Sequence, residues 1–248
     1  MFVCVSTRCF PGQTLEQACT SLSDLEFDKF EIWVDDATSK VSPADIADDP
    51  DDFAARLRDQ TRLSPVAFCL GSESVGGEQF AGLAKAAKLL SITQITVPAA
   101  PLGTPFNAEI DRLKELVGLG RSEGVRVSIK TQSGRLTEDP RTAVELCQAA
   151  KGLGLTIDPS YYLASPLGEQ ACEMMFPHTF HVHLRDSTPS SLQVQVGLGE
   201  IDYSHIISRL QRQRYNRGLS IELLPELTEP DAMGLELRKL RMLLTTLL

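Results

Sequence analysis

The chain has 248 residues, of which 42% are hydrophobic and 23% charged, as is ordinary for a soluble globular protein. Its 33 acidic residues outnumber 24 basic ones, and the basic residues do not cluster, which argues against nucleic acid or an anionic membrane surface as the main partner. No apolar run approaches the roughly 20 residues needed to span a bilayer, and the N-terminal segment MFVCVSTRCF is interpreted as a first strand rather than a signal peptide.

Eight short segments of the chain are predicted to be β-strands. Each is mostly rich in Val, Ile, Phe or Leu and is bounded by turn residues, which is the pattern of a buried strand. In chain order the predicted strands are Phe2–Ser6, Phe30–Val34, Val66–Cys69, Gln94–Val97, Arg126–Lys130, Leu155–Asp158, Phe180–Leu184 and Ser220–Leu223.

Helix patterns with recognisable starts lie between most of these strands. Thr14-Leu-Glu-Gln17 has the form of a capping box, in which two side chains satisfy backbone N–H groups at a helix start. Asp139-Pro140 places a capping carboxylate before a proline at the first helical position. Asp202 precedes an apolar pattern at helical spacing, and Glu229-Pro230 opens a last helix that is rich in leucine.

Strict alternation of strands and helices predicts an α/β protein with a parallel sheet. Eight strands in 248 residues correspond to about 31 residues per unit, the size of a strand, a loop and a helix. Eight such units in about 250 residues predict a closed (β/α)8, or TIM, barrel. No linker divides the chain, so residues 1–248 are predicted to form a single domain. A doubly wound open sheet is the alternative, but no G-x-G-x-x-G follows a strand to support a dinucleotide-binding version.

The six cysteines are scattered along the chain and form no C-x-x-C motif. They stand at positions 4, 9, 19, 69, 147 and 172. Cys4, Cys69 and Cys147 lie within apolar segments, where a free thiol behaves as a small hydrophobic side chain. Because disulfides are rare in reducing compartments, the pattern predicts free buried thiols and a cytoplasmic protein.

Four polar residues stand at the ends of the last four predicted strands: Lys130, Asp158, His183 and Glu222. The intervals between them are 28, 25 and 39 residues, each about one strand–helix unit. Active sites of TIM barrels form at the carboxyl ends of the strands. We therefore expect the four side chains to converge on one point at the mouth of the barrel.

Side chains on a strand alternate between the barrel interior and the helix layer, which predicts further inward-pointing groups. Gln132 follows Lys130 on the same face of its strand, and His181 and Arg185 flank His183 on another. We interpret His181, which lies deeper, as a hydrogen-bonded interior histidine. Arg185 and Arg8 stand near strand ends that face the mouth, where each either holds a substrate carboxylate or phosphate or serves a structural role.

Several short motifs, in their order and spacing, resemble the xylose isomerase-like, or sugar phosphate isomerase/epimerase, superfamily of TIM barrels. The motifs are GRLTEDP, LTIDPSY, HVHLRDS, VGLGEID and SIELL in the second half, with weaker matches at VSTRCFPG and at FDKFEIW, which contains Glu31. The resemblance covers the whole chain. It implies a divalent cation such as Mn²⁺, Mg²⁺ or Zn²⁺, held by a Glu, Asp, His and Glu from strands five to eight, and a sugar-type substrate.

Three positions depart from the pattern of that family. Lys130 stands where the resemblance implies the first glutamate ligand. Gln132 stands where a histidine often follows that ligand, and Tyr161 where a substrate-binding histidine is usual. An ammonium group cannot ligate a metal. At about 4 Å it repels a dication by about 8 kcal/mol at an effective dielectric constant of 20.

Formal charge also favours replacement of the metal by the lysine. The group Lys130, Asp158 and Glu222 has a charge of −1, as does the family ligand set with its dication. We therefore expect Lys130 to pair with both carboxylates and no metal to be bound tightly. If a divalent cation is present, its protein ligands are Asp158, His183 and Glu222.

The leading functional hypothesis is a sugar isomerase or epimerase-like enzyme acting on a small polyhydroxylated carbonyl compound through an enediolate. Glu222 is the candidate general base, a role that works best when its pKa is raised, and Lys130 is the candidate electrophile for the developing oxyanion. The candidate substrate-binding residues are Asp158, His183, Gln132, Tyr161, Arg185, Glu31 and Arg8.

Two other functions stay open at this point. One is a catalytically inactive barrel that binds a sugar or a partner protein. The other makes Lys130 a Schiff-base nucleophile, because a lysine desolvated inside a barrel acts as an amine. The identity and phosphorylation of the substrate and the oligomeric state, with a homo-oligomer among the options, also stay open.

Overall fold

Eight parallel strands close into a barrel in chain order, with β8 paired to β1, in a computed structural model. It describes the backbone of residues 1–248 and all side chains except that of Pro230. The strands are β1 Phe2–Ser6, β2 Lys29–Val34, β3 Ser64–Leu70, β4 Gln94–Pro98, β5 Arg126–Lys130, β6 Leu153–Ile157, β7 Thr179–Leu184 and β8 Gly218–Ile221. The predicted α/β architecture, a (β/α)8 barrel, is confirmed.

The helices form a layer around the barrel, and three of them start at the predicted caps, whereas the last helix begins at Met233 rather than directly at the predicted Glu229-Pro230. Thr14 and Gln17 form the predicted capping box at the start of the first helix. Asp139 and Asp202 cap two later helices through backbone N–H groups, also as predicted. The α-helices are α1 Leu15–Asp24, α2 Pro43–Ala47, α3 Pro50–Gln60, α4 Gly77–Leu89, α5 Phe106–Ser122, α6 Pro140–Ala149, α7 Pro159–Leu163, α8 Tyr203–Arg212 and α9 Met233–Leu247. A 3₁₀ segment, Glu169–His178, leads into β7.

Two strands end earlier than the sequence predicts, and both ends bear on the site. β6 stops at Ile157, so Asp158 is the N-cap of α7, with Pro159 at the first helical position. The Asp158 N–H donates to the Thr131 hydroxyl at 2.9 Å. β8 stops at Ile221, yet the Glu222 N–H still donates to the Leu184 carbonyl at 3.1 Å. Both acidic residues are thus anchored through their backbones.

The inner face of the barrel is polar and its outer face is apolar. Deep inside, the Thr156 hydroxyl contacts those of Ser128 at 2.6 Å and Thr96 at 2.8 Å, while the Gln94 amide donates to Ser128 at 2.6 Å. Outward-facing residues such as Val127 pack against the helices in the hydrophobic core. This alternation gives most of these inward polar groups hydrogen-bond partners below the mouth and leaves the carboxyl ends of the strands to carry the site.

The structure also bears on two features noted from the composition, the cysteines and the apolar segments. All six cysteines are buried with free thiols, as predicted. Among the described residues, no helix is both long enough and apolar enough to cross a bilayer.

Candidate functional site

The four residues singled out at the strand ends lie together at the mouth of the barrel. Lys130 is the last residue of β5, His183 lies within β7, and Asp158 and Glu222 follow β6 and β8 directly. Lys130 is 4% exposed and the other three are fully buried. Ionisable groups this deep require partners, because an unpaired buried charge is costly.

The Glu222 carboxylate is the centre of these contacts. Its Oε2 atom accepts from the Lys130 ammonium and from Arg185 Nη2, the latter at 2.6 Å, and lies 3.3 Å from His183 Nδ1. Its Oε1 atom lies 3.4 Å from Arg8 Nη1. Burial by itself raises the pKa of Glu222, but the charges of Lys130, His183 and Arg185 outweigh it and hold that pKa well below its usual range.

Arg185, rather than Lys130, joins the two carboxylates. Its Nη2 atom lies 2.6 Å from Glu222 Oε2 and 2.8 Å from Asp158 Oδ2, and its Nε atom donates to the Glu222 carbonyl at 2.9 Å. Lys130 forms an ion pair with Glu222 alone. The expectation that Lys130 pairs with both carboxylates is therefore wrong, because the planar guanidinium reaches several acceptors at once whereas an ammonium is a point charge.

Asp158 divides its two oxygens between the helix start and the ion pair. Oδ1 accepts from the Ser160 backbone N–H at 3.3 Å and from the Ser160 hydroxyl, while Oδ2 faces Arg185. The Ser160 hydroxyl also lies 3.2 Å from Arg185 Nη1. Sequence reasoning missed Ser160, although the Asp-Pro-Ser signature of a capped helix start was the signal that could have found it.

Glu31, on β2, lies beneath the cluster and binds two histidines. Its Oε2 atom lies 2.7 Å from His181 Nε2 and 2.9 Å from His183 Nε2. Burial favours the neutral form of Glu31, but His183 and His181 outweigh it, so its pKa is lowered. His181 is thus the hydrogen-bonded interior residue that its depth predicts. Its own pKa is lowered, with burial as the largest cause.

His183 stands between two carboxylates. Nε2 faces Glu31 at 2.9 Å and Nδ1 faces Glu222 at 3.3 Å. Burial disfavours the charged ring, yet these two carboxylates outweigh it and raise the pKa of His183 to about 9. With Lys130 and Arg185, a charged His183 ring balances the three carboxylates of Glu31, Asp158 and Glu222, and Arg8 adds a fourth cation at the edge, where it also pairs with the exposed Glu226.

The existing contacts of this cluster compete with a divalent cation for the candidate ligand atoms. Candidate ligand atoms come within 4.8 Å of one another in two sets, Asp158 with His183 and Glu222, and Glu31 with Cys69 and His183. Both sets need His183, whose Nε2 and Nδ1 atoms already face carboxylates, at 2.9 Å from Glu31 and 3.3 Å from Glu222. The first set is also bridged by Arg185. In the second, burial raises the pKa of Cys69 well above its usual range, which favours the thiol over the thiolate that ligates a metal.

The remaining predicted residues border the cluster. Arg8 is the most open of its cations, with a side chain 22% exposed, and its guanidinium stacks 4.7 Å above the Trp33 ring. The Tyr161 ring lies 5.3 Å from the Arg185 guanidinium. Gln132 lies with Tyr161 on the wall of a neighbouring cavity.

The position of His183 predicts a pH dependence of stability. The pKa of His183 rises from its ordinary 6.5 to about 9 on folding, so its contribution is complete below pH 6.5 and is lost as the pH rises through 9. We expect the free energy of unfolding to fall across this window by up to about 1.4 kcal/mol per pH unit. Urea denaturation at pH 6.5–8.5 should show this slope flattened in His183→Gln. It should be unchanged in His205→Gln, whose ring is half exposed. Equal slopes in all three proteins would contradict the assignment.

Comparisons with known proteins agree with this architecture. A sequence model of the family described as xylose isomerase-like TIM barrel matches residues 19–243. No curated protein sequence matches the chain.

Solved structures of the same architecture superpose on nearly the whole chain. A xylose isomerase-like TIM barrel protein from Mycobacterium smegmatis, in complex with magnesium, gives a TM-score of 0.77 at 14% identity, with coverage of 99% of this chain and 97% of that one. The 3-keto-D-glucoside 4-epimerase YcjR from E. coli gives 0.71 at 17% identity, with 98% and 99% covered. An L-ribulose 3-epimerase gives 0.74 at 16% identity, with 100% and 94% covered. The superpositions show that the fold is shared, and at identities this low they show the fold alone.

Proposed function

The chain belongs to the xylose isomerase-like TIM barrel family, and from that premise we propose that it acts on a small polyhydroxylated carbonyl compound without a bound dication. One observation supports the metal-free chemistry above the rest. The Lys130 ammonium and Arg185 Nη2 both contact Glu222 Oε2, one of the oxygens that a metal would need. The cation-rich mouth instead offers hydrogen-bond donors to a substrate oxygen that gains negative charge.

The proposed reaction is a proton transfer next to a carbonyl group. Glu222 takes a proton from the carbon beside the carbonyl, the C–H electron pair forms a C=C bond, and the carbonyl oxygen becomes an oxyanion. Lys130 and Arg185 stabilise that oxyanion. The neighbouring hydroxyl then gives its proton to that oxyanion. Its oxygen becomes the new carbonyl as the former carbonyl carbon regains a proton from Glu222, which completes an aldose–ketose isomerisation. A single base suffices for this, whereas a two-base epimerisation lacks its second carboxylate because Lys130 occupies that position.

The low pKa of Glu222 in the free protein bears directly on this role. Burial raises that pKa, and the cations Lys130, His183 and Arg185 lower it further than burial raises it. A substrate oxygen that draws Lys130 and Arg185 away from Glu222 weakens their lowering effect on its pKa. Burial then raises that pKa toward the range of a general base. Substrate binding and activation of the base are therefore coupled in this proposal. Arg8, the most open cation, is the first to meet an anionic substrate.

Replacing Glu222 with glutamine tests the proposed base. With a panel of aldoses and ketoses in D₂O, NMR detects deuterium entering the carbon beside the carbonyl. We expect Glu222→Gln to slow this exchange about 10²–10⁴-fold, because it removes the base while keeping the shape of the side chain. Glu226→Gln is the matched control, since Glu226 contacts the same Arg8 from an exposed position. Its exchange rate should stay within about twofold of wild type. Unchanged exchange in Glu222→Gln would overturn the role.

A second function, a catalytically inactive barrel that binds a sugar, is favoured by the crowding at Glu222. Its Oε2 atom already faces three cationic groups in the free protein, which leaves little basicity for catalysis. In that case saturation-transfer NMR detects binding of sugars from the panel while no deuterium is incorporated. Exchange that depends on Glu222 excludes this second function.

A further inference from the structure

A cavity of about 860 Å³ lies beside the charge cluster, next to the carboxyl ends of β5 and β6. Its volume is within the roughly 300–1,000 Å³ of sites for drug-sized ligands. It lies between the loop after β5, α7 and the 3₁₀ segment before β7. Its apolar wall is formed mainly by Tyr161, Tyr162, Pro166, Leu167 and Met174. None of the ion pairs at the barrel mouth fills this space.

Tyr161 connects the cavity to the cluster. Its side chain lines the cavity, and its ring lies 5.3 Å from the Arg185 guanidinium. Gln132, which also lines the cavity, stands two residues after Lys130 along the chain. A molecule whose polar end contacts Arg185 and Lys130 therefore lies next to this cavity, with Tyr161 between the two.

The wall of the cavity includes apolar side chains that the protein leaves in water. Leu167 is 53% exposed and Met174 is 43% exposed. Tyr161 and Tyr162 add two aromatic rings, and aromatic rings pack against one another in preferred geometries. A thioether such as that of Met174 also makes favourable contacts with aromatic rings. The remaining wall is polar and includes the charged residues Glu138, Asp139, Arg141 and Glu173. An apolar wall with polar groups beside it is typical of a ligand pocket.

We propose that this cavity binds an aromatic group carried by the substrate, which is then an aromatic conjugate of a sugar that keeps a carbonyl group for the proposed reaction. The proposal rests on the proposed function for the sugar-type end, which the charge cluster holds. The aromatic group lies against Tyr161, Leu167 and Met174. The cavity thereby selects conjugates over free sugars, because only a conjugate covers the exposed apolar wall.

Binding measurements with matched glycosides test the proposal. The probes are the phenyl and methyl β-glycosides of glucose, galactose and xylose, which differ only in the group meant for the cavity. We expect at least one phenyl glycoside to bind wild type about tenfold more tightly than its methyl counterpart. The double variant Leu167→Lys/Met174→Lys should lose this advantage while binding the methyl glycoside unchanged. Leu198→Lys is the control, because Leu198 is 70% exposed on the loop after β7.

The outcomes separate this proposal from the proposed function. No phenyl advantage in wild type, an advantage that survives in the double variant, or an advantage that the Leu198→Lys control loses as well, overturns the aromatic site. If no glycoside of either kind binds, phenol is the probe. Phenol binding that the double variant abolishes supports the aromatic site and removes the sugar-binding role of the cluster. Absence of phenol binding overturns the aromatic site. If a free sugar exchanges deuterium and the exchange depends on Glu222, the proposed function is supported, whether or not the cavity binds an aromatic group.

Discussion

Replacing Arg185 with methionine is expected to lower the free energy of unfolding by about 3–5 kcal/mol. The guanidinium is 1% exposed and bridges Asp158 and Glu222, with a further bond to the Glu222 carbonyl. Without it, two buried carboxylates lose a shared cation and water cannot replace it. For a chain of this size the loss corresponds to a fall in Tm of roughly 6–20 °C. Circular dichroism during heating measures the change in Tm, and urea titration measures the change in the free energy of unfolding.

A surface pair provides the matched control for Arg185. Arg56 pairs with Asp52 one helical turn away at 2.7 Å, and both side chains are 56% exposed. Arg56→Met should cost less than about 1 kcal/mol, because water screens an exposed pair. Arg185→Lys should fall between the two, since an ammonium cannot serve all the acceptors of the guanidinium at once. A cost of Arg185→Met no larger than that of Arg56→Met would show that Arg185 does not stabilise the buried carboxylates.

Replacing Lys130 with glutamate is expected to create a divalent-cation site. The substitution removes the ammonium beside Glu222 and adds a carboxylate to the set of Asp158, His183 and Glu222. Mn²⁺ at 100 times its Kd would then stabilise the variant by about 2.7 kcal/mol. This corresponds to a rise in Tm of roughly 5–11 °C. Wild type should show neither the shift nor a stoichiometric metal on elemental analysis after purification without chelator.

Two further variants identify which cation blocks the metal. Lys130→Gln removes the ammonium without adding a ligand, so Mn²⁺ should shift its Tm far less than that of Lys130→Glu. If Lys130→Glu binds no metal but Lys130→Glu/Arg185→Leu does, the guanidinium is the remaining block. A stoichiometric dication in wild type would contradict the charge argument and return Asp158, His183 and Glu222 to the role of ligands.

The parts of the site that follow from chain order were predictable. Lys130, Asp158, His183 and Glu222 each lie at or next to the carboxyl end of a strand, and the strands recur at intervals of one unit. Parallel strands that close in chain order bring such positions to one end of the barrel. The capping box at Thr14 was predictable for a similar reason, because its hydrogen bonds join residues three positions apart.

The pairing inside the cluster was not predictable in the same way. Sequence reasoning assigned the bridging role to Lys130, whereas Arg185 performs it. It proposed Glu31 as a substrate-binding residue, and the structure places Glu31 beneath His181 and His183 with no exposed surface. The general-base role that it assigned to Glu222 works best with a raised pKa, which burial alone would produce. The neighbouring cations, of which Lys130 has the largest effect, outweigh burial and lower the pKa of Glu222 instead.

The sequence by itself determined the barrel, the helix starts and the set of residues at its mouth. These follow from hydrophobic periodicity and from hydrogen bonds between residues close in the chain. Only the tertiary structure decided which charge meets which carboxylate, which histidine is an imidazolium and where a cavity remains. The contacts between Glu222 and Lys130 and between Glu31 and His183 join strands far apart in sequence. Their strength depends on distances of a few ångströms and on exclusion of water, neither of which a linear pattern contains.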